Sequence, residues 1–196
     1  DRARWLITLL LVLSIGHWWL SGRAIARPPG VLAPEEPVQT DLARGPVFEL
    51  EGHRLAALAR FHVEARVLGA ERYRFDRPSK ISPVDLALGW GPMSSTPVLE
   101  GLDIEQYGRF YFWSAEELPL DPAQITLHSA NMHIIPASAA VRDVLLDARP
   151  GNLVEIDGYL VEVTADDGFR WRSSTGRGDS GGGACEIVYA ESISLR

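Results

Sequence analysis

Residues 60–68 read RFHVEARVL. Phe61, Val63, Ala65 and Val67 are apolar, and Arg60, His62, Glu64 and Arg66 alternate with them. Side chains on an extended chain point to opposite faces in turn, so this period of two predicts a strand with one buried and one wet face.

Strand-like runs recur on both sides. Ile104 to Trp113 reads as a second strand, rich in aromatics at Tyr107, Phe110, Tyr111, Phe112 and Trp113. Gln124 to Ser129 reads as a short third. Ile81 to Pro97, with Pro83, Gly89, Gly91, Pro92 and Pro97, reads as a structured loop with one helical turn at Val84–Leu88. Pro136 and Ser138 then open a helix, with Ser138 as N-cap and Val141, Val144 and Leu145 as its apolar face. Pro150-Gly151 ends it. Leu153 to Thr164 predicts a long strand, Asp166-Asp167-Gly168 a hairpin turn, and Phe169 to Ser173 the return. Cys185 to Leu195 is the last strand. Three strands, a helix and two strands is the order of an OB-fold. The expectation is a mainly β protein, a small OB-like β-barrel with one helix, with a one-helix β-sandwich as the alternative. Gly158 inside the long strand suits a barrel corner or bulge.

Composition agrees with a folded protein of this size. The chain has 196 residues, 46 % hydrophobic and 23 % charged, which excludes a disordered or collagenous chain. The net charge of −7 argues against nucleic acid, because phosphate binding needs a basic surface. Lys80 is the only lysine. The single cysteine, Cys185, excludes an intramolecular disulfide and cysteine-rich metal sites.

The first residues are of another kind. Trp5 to Leu20 reads WLITLLLVLSIGHWWL, without a formal charge. Such a run spans roughly 24 Å as a helix, short but sufficient with interfacial anchors. Trp5 at one end and Trp18 and Trp19 at the other fit membrane-interface positions. A cleaved signal peptide is the rival reading, with Ala24-Ile25-Ala26 as its cleavage site. The expectation is a retained transmembrane anchor over 1–22, with the rest of the chain on the extracytoplasmic side. His17 beside Trp18 is an interfacial histidine, or an axial ligand to a haem or pigment. Residues 23–46 carry Pro28, Pro29, Pro34, Pro37 and Pro46 and read as an extended Pro-rich linker, a spacer or an arm bound to a neighbouring subunit. Residues 47–196 form the β-rich domain.

Several motifs invite a catalytic reading. Residues 175–184, TGRGDSGGGA, contain the GDSGG of trypsin-like serine proteases, and His53, Asp103 and Ser180 follow that family's order. The residues around His53 and the sixteen after Ser180 do not fit the family. Gly176, Gly178 and Gly181 match G-x-G-x-x-G, but a β-like run follows where a helix is needed. Arg177-Gly178-Asp179 is a tripeptide common by chance. A flexible glycine loop accounts for the segment. His128 and His133 are weak candidates for metal ligands. Tyr107, Phe110 and Trp113 are candidates for contacting a partner or a ligand.

DLALGWGPMS (85–94), SANMHIIPA (129–137), GNLVEIDGYLVEV (151–163) and SGGGACEIVYAESI (180–193) together resemble a family of uncharacterised bacterial single-pass membrane proteins with a small β-rich domain. The resemblance implies a membrane anchor, one domain and a bacterial source, and no catalytic residues. The leading expectation is a non-enzymatic, membrane-anchored accessory subunit of a larger complex of respiratory or photosynthetic type. It would sit in the bacterial inner membrane through residues 5–22 and contact other subunits, with no cofactor and no nucleic acid. The alternatives are a membrane-tethered serine or metal hydrolase and an extracytoplasmic peptide- or glycan-binding module.

Overall fold

The computed structural model describes residues 23–176 and 185–196. The expected anchor with Trp5, His17, Trp18 and Trp19 lies outside the described residues, as does Ser180 of the glycine loop. Among the described residues no helix is long and apolar enough to cross a membrane.

The protein is mainly β. Among the described residues ten strands run β1 (Val38–Asp41), β2 (Val47–Leu50), β3 (His53–Arg72), β4 (Val84–Gly89), β5 (Asp103–Tyr107), β6 (Phe110–Ser114), β7 (Ser129–Pro136), β8 (Leu153–Thr164), β9 (Arg170–Arg172) and β10 (Glu186–Leu195). The α-helices among the described residues are α1 (Thr96–Leu99), α2 (Pro122–Leu127) and α3 (Ala139–Leu146). Strand β3 pairs antiparallel with β4, β4 with β7, β10 with β8 and β8 with β3, while β7 and β10 run parallel. The pairing path therefore returns to β3.

The alternation at residues 60–68 is observed. Phe61, Val63, Ala65 and Val67 are buried with Leu86, Leu88, Met132, Ile134, Ile156, Leu160 and Val188 in one cluster, against which Leu145 of α3 packs. Ser138 caps α3 as expected, accepting a hydrogen bond from the Val141 N–H. Bulges at Ala57/Ala59 and Val67/Gly69 bend β3, which lets one strand serve partners along both edges. Gly158 marks a close approach: a Cβ there would lie 2.0 Å from the Tyr189 carbonyl oxygen.

Three local expectations are corrected. Val84–Leu88 is a strand rather than a helical turn. It is buried on both faces, so it shows no alternation, and its flanking Pro and Gly mimic a loop. Residues 104–113 are two strands of a hairpin rather than one strand, because Gly108-Arg109 reverses the chain. Gln124–Ser129 is largely helix: Asp121 caps α2 through the Ala123 N–H and Pro122 opens it, while Ser129 starts β7.

The Pro-rich segment lies along the domain. The Ile25 N–H donates to the Pro150 carbonyl, the Leu32 and Ala33 N–H groups to Ser94 Oγ, and β1 pairs antiparallel with β3.

Candidate functional site

The β5–β6 hairpin turns on Gly108 and Arg109, with φ of 60° and 67°. Positive φ at both central residues gives a two-residue turn whose twist suits a hairpin. Glycine adopts it freely, whereas the left-handed backbone costs Arg109 about 1–2 kcal/mol. Contacts on every side of Arg109 hold it there. Its N–H donates to Tyr73 Oη at 2.9 Å, and its carbonyl accepts from Asn131 Nδ2 at 3.1 Å. Its guanidinium donates to both oxygens of Asp76, to Asp85 Oδ1 at 2.8 Å and to the Ser82 carbonyl at 3.0 Å. It also lies 4.1 Å above the centre of the Tyr73 ring.

The acceptors are set by strand register. Asp85 on β4 opposes His133 on β7, and both point away from the core side chains Leu86 and Ile134. Asp85 is fully buried, and the Arg109 side chain is 13 % exposed. His133 Nδ1 approaches Asp85 Oδ2 at 2.9 Å without the alignment of a hydrogen bond, and its ring packs 4.8 Å from Trp171. Hydrogen bonding to Arg109 holds the Asp76 carboxyl below its ordinary value, against the effect of burial. Burial pushes the Tyr73 hydroxyl up.

The hairpin has two faces. Ile104, Tyr111 and Trp113 pack inward against Leu68, Met93, Leu102 and Ile125. Tyr111 Oη pairs with Ser129 Oγ at 3.0 Å, and Gln106 Nε2 donates to Asn131 Oδ1 at 2.7 Å. Tyr107, Phe110 and Phe112 stand outward at 61 %, 43 % and 39 % exposure. The Tyr107 and Phe112 rings stack with centroids 4.3 Å apart. Phe75, 99 % exposed, directly precedes the Asp76 that Arg109 clasps. The site is thus an aromatic surface on a turn fixed by a buried ion-pair network.

No family model matches this chain, and neither does any curated protein or solved structure.

Of the three aromatics singled out by sequence, Tyr107 and Phe110 lie on the exposed face. Trp113 turns inward, because the reversal at Gly108-Arg109 resets the alternation, and Phe112 takes the outward place. His128 and His133 are not brought together: His128 Nδ1 contacts the Gln124 carbonyl at the end of α2, and His133 is buried beside Asp85. The His133–Asp85 approach resembles the His–Asp part of a hydrolytic triad, but the His133 side chain is 4 % exposed. Sequence reasoning missed Arg109 and Asp85. The Tyr-Gly-Arg-Phe run at 107–110, glycine between alternating aromatics, was the available hairpin signal. His62, on the wet face of β3, meets Asp157 at 3.0 Å and, with Glu155, forms a half-buried group with ligand atoms within 4.8 Å of one another.

Proposed function

We propose that the closed pairing path is an OB-like β-barrel and that the chain is a non-enzymatic accessory subunit of a larger bacterial membrane complex. The barrel reading is supported by the parallel β7–β10 contact and by α3 between the third and fourth strands of the ring. Residues 5–22 anchor the chain in the inner membrane, and the domain stands on the periplasmic side. A respiratory or photosynthetic assembly is the expected setting.

One observation carries the docking role. Three outward aromatics sit on a strained turn that eight polar and ring contacts immobilise or brace. Large rings held rigid before contact lose little entropy on binding, and aromatic residues are enriched at interface hot spots. Asp103 and Glu105 share the outward face with them. The matching partner surface is an apolar ridge flanked by arginine or lysine.

The test is the native mass of the protein extracted from its own membranes in mild detergent. The wild type is expected to run within an assembly several times its own mass. A triple Tyr107→Ser, Phe110→Ser, Phe112→Ser variant is expected to run alone with an unchanged Tm. A wild type that runs at its own mass overturns the reading.

A further inference from the structure

Arg66 continues the outward row of β3 begun by Arg60, His62 and Glu64, yet it is only 8 % exposed. The turn at Gly91–Ser94 and helix α1 cover it. Its Nη1 donates to the Ser94 carbonyl at 3.2 Å and to Thr96 Oγ1 at 2.7 Å. Among the described residues no carboxylate lies within ion-pair distance of it, unlike Arg60, Arg77, Arg109, Arg170, Arg172 and Arg196. A buried cation with only neutral acceptors is costly, since neutral oxygens replace little of its lost hydration.

Arg66 lines a cleft of about 270 Å³ together with Ala26, Arg27, Thr96, Leu99 and Glu100. Arg27 forms one wall and donates to the Gly151 carbonyl and to the main-chain oxygen of Arg196. Burial lowers the Arg66 pKa, and the positive charge of Arg27 lowers it further, while Glu100 acts the other way. Glu100 is exposed at the rim. The cleft therefore presents two guanidinium groups against one carboxylate. Thr96 Oγ1 gives its proton to the Pro28 carbonyl, so it orients Arg66 and leaves recognition to the arginines.

We propose that this cleft is a binding site for a phosphate group, held by Arg66 from its floor and Arg27 from its wall. Guanidinium forks match phosphate oxygens in geometry and charge, and a bound dianion would compensate the buried Arg66. The phosphate belongs either to a lipid headgroup or to a soluble phosphate compound. Ala26 and Arg27 follow the apolar run ending at Leu20 by a few residues, which supports the lipid source if that run is the anchor. The phosphate site itself does not depend on the docking reading.

The full chain in neutral detergent is titrated with inorganic phosphate at fixed ionic strength, with chloride as the control, and followed by calorimetry and Tm. Saturable binding with a rise in Tm is expected. Arg66→Gln weakens it roughly tenfold or more, the loss expected for a charge-assisted hydrogen bond. Should Arg66→Gln fail to fold, Arg27→Gln is expected to weaken binding and Glu100→Gln to tighten it, by about threefold in each case. Nanodiscs of phosphatidylglycerol compared with phosphatidylcholine separate the sources. Phosphate displaced by phosphatidylglycerol assigns the lipid, and phosphate bound equally in both assigns the soluble compound. No saturable phosphate binding, or binding unchanged in the Arg27 and Glu100 variants, overturns the proposal.

Discussion

Replacing Arg109 with alanine removes the only cation that hydrogen-bonds Asp85 among the described residues, and Asp85 is fully buried. Breaking a buried pair from one side costs about 3–5 kcal/mol, because the remaining charge is left without solvent and with only the imidazole of His133 beside it. The Asp76 contact adds little, since that side chain is 37 % exposed and such pairs are worth about 0–1 kcal/mol. Alanine gives no relief at a φ of 67°, which also strains its Cβ. At roughly 2–4 °C per kcal/mol for a chain of this size, Tm should fall by roughly 6–20 °C. Chemical denaturation at pH 7 measures the free energy directly. Asp85→Asn in the Arg109→Ala background should recover part of the loss, since an amide needs no counter-ion, giving a coupling of about 2–3 kcal/mol. A single-variant loss below about 1 kcal/mol, or strictly additive variants, would refute the lock.

Three further outcomes follow from the same contacts. Gly158→Ala should destabilise strongly, because a Cβ 2.0 Å from the Tyr189 carbonyl must push β8 from β10; a Tm within 2 °C of wild type, less than about 1 kcal/mol, would contradict the close approach. Trp113→Ala should cost about 3–5 kcal/mol and Phe112→Ala under about 1, since the first ring packs inward and the second stands in solvent; equal losses on urea unfolding would count against the two-faced hairpin. The Asp76 carboxyl, lowered by Arg109, contributes stability that is present above its unfolded pKa of about 3.9 and is lost as pH falls through the lower folded value. Asp76→Asn should therefore flatten the acid limb of a Tm-against-pH curve, and an unchanged limb would exclude that contribution.

What the sequence disclosed follows from where each signal lies. The Arg60–Leu68 alternation and the Leu153–Thr164 run were legible because one face of each strand meets the core. β4 and β7 were not, since both are almost wholly buried and carry Asp85, Asn131 and His133 where apolar residues would announce a strand. Asp85 and Asn131 are also the residues that bond Arg109 and Gln106, so the concealed strands and the concealed part of the site have one cause. Tyr107 and Phe110 were legible as surface aromatics. Choosing between Phe112 and Trp113 required the turn, and the turn depended on a left-handed arginine that propensity does not suggest.

The proposed contact of the outward aromatic face of β5–β6 with another subunit is open to a direct reading. A photo-crosslinking residue placed at position 110 or 112, in cells making the protein at its natural level, reads this contact directly. One discrete adduct of constant mass is expected from both positions, lost when Tyr107 is changed to Ser and absent when the probe sits at Glu49 on β2. Adducts from position 49 as abundant as those from 110 and 112, or none from the hairpin, would contradict it.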